Sequence, residues 1–226
     1  MSKAQLKLDW CTHEAAKYAC ENWHYSRSVP ASKNLRVGVW EDGKFIGVVI
    51  FASGNNCHIG DPYGVTALEA CELVRVALTT HKTPVSRVMT IACRFLRSKC
   101  GGLRLIVSYA DPAQGHHGGI YQAAGWVYVG RSTEVRGFEL NGRSLHRRRY
   151  EGDNYGRARD ALPPGAVAVK REKKHKYLLP LDAAMRAQVA PLAKPYPKRV
   201  QDPRVGKSSP VGTTTGEGGA LPTPTL

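Results

Sequence analysis

The residue types best suited to chemistry cluster at four places in the chain. Asp111 closes an apolar run, Pro112 follows it, and Gln114-Gly115-His116-His117-Gly118-Gly119 comes next. A carboxylate at the end of a strand can orient a donor group or take its proton. The same Asp-Pro pair could also do no more than stop the strand. Tyr109 and Tyr121 flank this segment, and each offers an aromatic face. Adjacent histidines cannot easily both ligate one ion, so His116 is the better candidate of its pair for metal or phosphate, and a simple turn is the alternative. The second place is His24-Tyr25, where His24 could act as acid, base or metal ligand and Tyr25 as a proton carrier. A helix-end histidine packed on Trp23 is the plain alternative. The third is Glu72 and Arg75 in the otherwise apolar run 70–78. Side chains of a strand alternate, so Glu72 shares a face with Val74 and Arg75 with Leu73. A buried Arg75 needs a partner, which makes it an anchor for phosphate or carboxylate, or half of a salt bridge. Ser108 could donate a hydrogen bond to a substrate or be filler. The fourth is the basic stretch 143–176, with 11 Lys/Arg against 4 Asp/Glu. Its densest runs hold Arg147, Arg148 and Arg149, then Lys173, Lys174 and Lys176.

An alternating set of elements must position these groups. Residues 6–10 suit a strand, and Thr12 is placed to cap a helix that ends near Trp23. Runs 35–40 and 44–51 flank Asp42-Gly43, the signature of a two-residue hairpin. Residues 70–78 read as a central strand. Pro84 opens a helix whose apolar positions Val85, Val88, Met89, Ala92, Cys93, Phe95 and Leu96 recur at helical spacing. Residues 103–109 form a buried strand, 120–124 a short helix capped by Gly125, and 126–130 a further strand. Two more strands surround Asn141-Gly142. His175 to Leu181 returns as a last strand, and Asp182 caps a brief helix. This order predicts an α/β fold: a single domain over 1–185 with a central mixed, mostly antiparallel sheet flanked by helices. From 194 to 226, Pro, Gly, Ser and Thr dominate, which predicts a disordered C-terminal tail.

Composition narrows the partners. Lys+Arg 33 against Asp+Glu 18 gives a formal charge of +15. A field of that sign gathers polyanions, so nucleic acid is the first partner to consider. The basic runs would bind phosphates without reading sequence. Six cysteines follow no zinc or disulfide spacing, and Cys93 and Cys100 are expected to share a buried helix face as reduced, core-filling thiols. The N-terminus carries no apolar signal core and no apolar run nears membrane-spanning length, so a cytoplasmic protein without membrane attachment is expected.

Three segments together carry a family resemblance: Asn22 to Pro30, Cys71-Glu72-Leu73-Val74-Arg75-Val76, and Ser108-Tyr109-Ala110-Asp111-Pro112 with Gly115-His116, Gly118 and Ile120 to Trp126. In order and spacing the chain resembles the Mom family of phage DNA-modification proteins over about residues 5–180. The resemblance implies the GCN5-related N-acetyltransferase (GNAT) superfold. It also implies conversion of adenine in double-stranded DNA to N6-carbamoylmethyladenine, which protects phage DNA from host restriction. Carried onto these positions, Asp111 would contact adenine N6, and Tyr109 or Tyr121 would stack on a base drawn out of the duplex. His24 and Tyr25 gain a role in catalysis, and Arg75, Ser108 and His116 a role in substrate binding. An acyl-CoA-type donor and iron are both entertained for the family; the donor and any metal stay open. One departure bears on the donor. Members of that superfold place a glycine-rich turn before the main helix to cradle pyrophosphate, whereas residues 78–87 here contain no glycine. The other readings are an N-acetyltransferase acting on a protein or small amine, and a non-catalytic DNA-binding module.

Overall fold

A computed structural model of the chain describes residues 4–53, 58–133, 135–145, 150 and 161–198. The tail expected at 194–226 therefore lies outside the described residues beyond 198, and so do Arg147, Arg148 and Arg149. The described chain forms two compact units, one built on residues up to 53 with 73–101, the other on 58–72 with 102–196.

The first unit contains β1 (Leu6–Trp10), α1 (His13–Trp23), β2 (Asn34–Glu41), β3 (Lys44–Ala52), most of β4 (Ala70–Leu78) and α2 (Val85–Lys99). Asp42 and Gly43 have φ of 50° and 80°, the left-handed pair that a two-residue hairpin turn requires. Thr12 caps α1, its hydroxyl accepting from Ala15 N at 3.2 Å. That helix buries Ala16, Ala19 and Cys20 against Val48, Ile50 and Ala77. Gly47 sits at φ +144°, where the β2–β3 register shifts, and a side chain there would run into the Ala77 carbonyl. α2 buries Val88, Met89, Ala92, Cys93 and Leu96 as its period demands. The expected pairing of Cys93 and Cys100 on one buried face fails at its second member. The helix ends at Lys99, so Cys100 sits in the cap position and is only half-buried.

The second unit contains β5 (Leu105–Ala110), α3 (Gly119–Ala123), β6 (Val127–Arg131), β7 (Val135–Leu140), β8 (Arg143–Leu145), β9 (Val167–Arg171), β10 (His175–Pro180) and α4 (Ala183–Val189). β10 pairs antiparallel with β5, His175 opposite Ala110 and Tyr177 opposite Ser108, and antiparallel with β6 on its other edge. Asp182 caps α4 through Met185 N at 2.7 Å and also receives Arg104 Nε at 2.8 Å, which ties the end of β10 to the start of β5. Tyr63, Val65, Leu105, Val107, Leu178, Met185 and Val189 form this unit's core. β7, β8 and β9 make a small separate sheet, with Asn141-Gly142 turning at φ of 50° and 74°.

In the first unit the strands lie in the order β1-β2-β3-β4, and in the second in the order β5-β10-β6. The pairs β1–β2, β2–β3, β5–β10 and β10–β6 are antiparallel. This is the mixed α/β class with a mostly antiparallel sheet and flanking helices. Among the described residues no helix is long and apolar enough to cross a membrane.

Candidate active site

Asp111 follows the last residue of β5 and caps the turn Pro112–Gln114, its Oδ1 accepting from Ala113 N at 3.1 Å. Its Oδ2 lies 2.9 Å from Lys174 Nζ, and the Asp111 side chain is 19% exposed. Its carbonyl accepts from Gln114 N at 3.0 Å and His116 N at 3.1 Å, so the glycine-histidine loop folds back on it. Gly115 and Gly118 turn that loop at φ of 69° and 86°. The loop is then pinned from below. The His117 carbonyl accepts from Tyr177 Oη at 2.6 Å and from Gln122 Nε2 at 3.3 Å. His117 is half-buried and His116 exposed.

Strand alternation divides the expected residues between two faces. On one face Ser108, fully buried, donates to Tyr121 Oη at 2.8 Å. Tyr121 stacks on Tyr177 at 5.0 Å and lies 5.1 Å from Trp126. Tyr128 is 5.2 Å from Tyr177, and its hydroxyl is 3.1 Å from His175 Nδ1. Burial pushes the Tyr177 hydroxyl up and the His175 imidazole down, so both favour their neutral forms. Tyr121 is only 6% exposed, which removes it as a surface on which a base could stack.

On the other face Tyr109 stands opposite Lys176 across the β5–β10 ladder. Lys176 Nζ lies 4.9 Å from the ring centre of Tyr63 and 5.9 Å from that of Tyr109, a cation held over aromatic faces. Burial pushes Lys176 down, partly offset by the charge of Glu72. Burial raises the Tyr63 hydroxyl to about 12, and burial with Glu72 raises that of Tyr109 further. Tyr109 is half-buried and keeps part of a ring available for stacking. Of the expected DNA-binding lysines, Lys173 is exposed. Lys174 is engaged by Asp111, and Lys176 lies over the two rings.

The remaining expected residues belong to the first unit. His24 follows α1, and its Nδ1 lies 2.8 Å from Ser26 Oγ and accepts from Ser26 N at 3.1 Å. That bond assigns the proton of the neutral ring to Nε2. Tyr25 is half exposed, its ring 4.3 Å from that of His24. Arg75 donates through Nη1 to the Val74 carbonyl at 2.7 Å, while its Nε is buried with no partner among the described residues. An unmet buried donor of this kind costs roughly 1–3 kcal/mol, and an incoming anion would satisfy it.

The turn before α2 decides whether coenzyme A fits there. Lys82 N and Thr83 N both donate to the Glu41 carboxylate at 2.8 Å. The protein's own carboxylate occupies the amides that a pyrophosphate would use, and no glycine lets a phosphate approach closely. The residues present do not fit a CoA pyrophosphate at this turn. Those backbone bonds hold the Glu41 carboxyl below its ordinary range. Its stabilising contribution is therefore complete above pH of roughly 4.5 and fades as pH falls through the lowered value. Glu41→Gln should flatten the acid limb of a plot of Tm against pH; an unchanged limb would exclude this role. Among the described residues no three His, Cys, Asp or Glu side chains are grouped to hold a metal ion, so iron finds no ligand set there.

Tyr177, Tyr128, His175, Tyr63 and Glu41 were not singled out from the sequence. The spacing of His175 and Tyr177, two apart on a strand, carries the one local signal that could have found them.

Among solved structures the chain is similar to several acetyltransferases. A spermidine N-acetyltransferase mutant from Vibrio cholerae is 11% identical, with TM-score 0.47, 82% of this chain covered and 96% of that one. A Bacillus subtilis acetyltransferase in complex with CoA is 12% identical, with TM-score 0.43 and coverage of 79% and 99%. A Campylobacter jejuni N-acetyltransferase in complex with acetyl coenzyme A is 11% identical, with TM-score 0.40 and coverage of 79% and 100%. No protein of curated function matches the chain. The chain belongs to the Mom protein family, which it matches over residues 5–198.

Proposed function

We propose that this protein is a DNA-modifying transferase that converts adenine in double-stranded DNA to N6-carbamoylmethyladenine in the host cytoplasm, shielding phage DNA from restriction. Family membership supports the class of reaction. The observation that carries the site is the Asp111 carboxylate, oriented by Lys174 and Ala113 N at the end of β5 and still partly open.

Adenine N6 is a poor nucleophile, because its lone pair is delocalised into the ring, and it lies inside the stack until the base is extruded. In the proposal Asp111 accepts the N6 proton as the new N6–C bond forms, while the donor's leaving group departs with the bonding pair. Tyr109 supplies the stacking face, and Tyr121 with Ser108 holds the strand behind it. His116 serves substrate contact. In the first unit, taken by itself, His24 and Tyr25 serve proton transfer and Arg75 holds an anionic group. The donor presents its CH2–C(=O)NH2 group with the methylene carbon bonded to the leaving group, since attack at an acyl carbon would give an N6-amide, and the phosphates of an acyl-CoA-type carrier would be held elsewhere than at residues 79–84. The Glu41 bonds weigh against the alternative of an ordinary acetyl-CoA-dependent N-acetyltransferase.

DNA recovered from cells expressing the protein should resist restriction endonucleases whose sites contain adenine and stay sensitive to those with only G·C sites. Equal digestion with and without the protein would contradict the proposal.

A further inference from the structure

The first unit carries a cleft of about 670 Å³ between α1 and the chain leading into β2. Its volume lies in the range of ligand pockets, roughly 300–1,000 Å³, but such pockets are mostly apolar and this one is charged. Lys17, Arg27, Lys33 and Arg36 line it with His13, against the single carboxylate of Glu21. Glu21 is itself 3.9 Å from Lys17 Nζ in an exposed pair, so it neutralises little of the field.

One of the cations is fixed before any ligand arrives, and a second is only loosely held. Arg27, at φ 49°, donates through Nη1 to the carbonyls of Glu21 and Asn22 at 2.7 and 3.0 Å, at the C-terminal end of α1. Arg36 reaches Asn34 Oδ1 at 3.4 Å and His13 Nδ1 at 3.5 Å, both long contacts. Its Nε is buried without an acceptor among the described residues. A guanidinium in that state calls for an oxygen anion, and phosphate offers the best-matched geometry. The cleft is also continuous in sequence with the reactive segment: His24, Tyr25 and Ser26 lead directly into Arg27, Ser28, Val29 and Pro30, which form its wall.

We infer that this cleft binds the sugar-phosphate backbone of the DNA strand, holding its phosphates beside the His24–Tyr25 segment. The assignment rests on the adenine-modification reading for its choice of DNA over another phosphate ester. It gives the protein a phosphate contact apart from the basic runs at 147–149 and 173–176.

The test is binding of a fluorescent DNA duplex to the full-length protein, by anisotropy, over a range of salt concentrations. The double variant Lys17→Gln/Lys33→Gln removes two exposed cations of the cleft. The control Lys44→Gln/Arg94→Gln removes the same charge from exposed positions that do not line it. The inference expects the slope of log Kd against log salt to fall by about 1 for each cleft cation removed, and to fall less in the control. Equal slopes in both variants would overturn it. Calorimetry with inorganic pyrophosphate separates the other source of phosphate. Pyrophosphate binding lost in the cleft variant, with DNA binding unchanged, would make this a seat for the donor's phosphates and overturn the DNA assignment. If the unmodified protein fails to bind DNA at all, the proposed function falls together with the inference. If it binds normally and the slopes agree, only the inference falls.

Discussion

Asp111→Asn should abolish adenine modification while the protein still folds and still binds DNA. An amide at this position keeps the shape of the carboxylate and can still accept from Ala113 N, the bond that caps the turn Pro112–Gln114. It cannot take a proton. Loss of a positioned general base lowers a rate by roughly 10²–10⁴-fold, which would place activity near the limit of detection. The structural cost is small by comparison. The Lys174 partner is nearly half exposed, and pairs of that kind contribute at most about 1 kcal/mol. Single-turnover formation of modified deoxyadenosine, measured beside a melting curve and DNA affinity, separates the two effects. Activity within a few-fold of the unmodified protein would remove Asp111 from the chemistry and leave it a turn residue.

The second large effect is expected at Gly118, and it acts on the fold. Gly118 stands at φ +86°, and a Cβ there would overlap the ring of Tyr177 at Cε2, Cζ and Oη. That ring is fully buried and stacked on Tyr121, so it cannot swing aside as the tip of a flexible chain would. Left-handed backbone costs a residue with a side chain about 1–2 kcal/mol, and overpacking a filled site typically costs a further 1–3 kcal/mol. Gly118→Ala should therefore lower stability by about 2–5 kcal/mol and displace the loop that leads back to Asp111. Chemical denaturation measures it; a loss below about 1 kcal/mol would mean that the loop and ring are not packed as described. Tyr177→Phe is the gentler companion. It removes only the bonds to the His117 carbonyl and Gln122 and should cost about 1 kcal/mol each.

Much of the architecture was legible because it is written in local chemistry. Asp42-Gly43 can adopt the left-handed pair, so the β2–β3 hairpin reads directly from two residues. Thr12 and Asp182 mark their helices because their side chains reach a backbone N–H only three positions ahead. The apolar stripe of α2 is helical period made visible. β9 was missed for the converse reason. Its residues are mostly exposed and it ends in Lys170-Arg171, so it presents no apolar face to recognise, and the backbone ladder to β7 holds it in place.

The site was legible in its residue types but not in their partners. Asp111 and His116 stand out by type and neighbours, yet the lysine that orients Asp111 comes from position 174, far along the chain. Glu41 reaches Lys82 and Thr83 across 41 and 42 positions, a contact no local pattern encodes. Tyr121 looked like a surface for stacking because its short helix carries no strong pattern. Only the arrangement of Ser108, Tyr177 and Trp126 around it shows that the ring is enclosed.

In the proposed function the protein changes adenine itself. Its most direct test is mass spectrometry of nucleosides hydrolysed from the DNA of cells expressing the protein, beside cells expressing Asp111→Asn. The first sample should contain a deoxyadenosine heavier by one carbamoylmethyl group, and the second none. Unmodified adenine in both, from cells containing soluble protein that binds DNA, would contradict it.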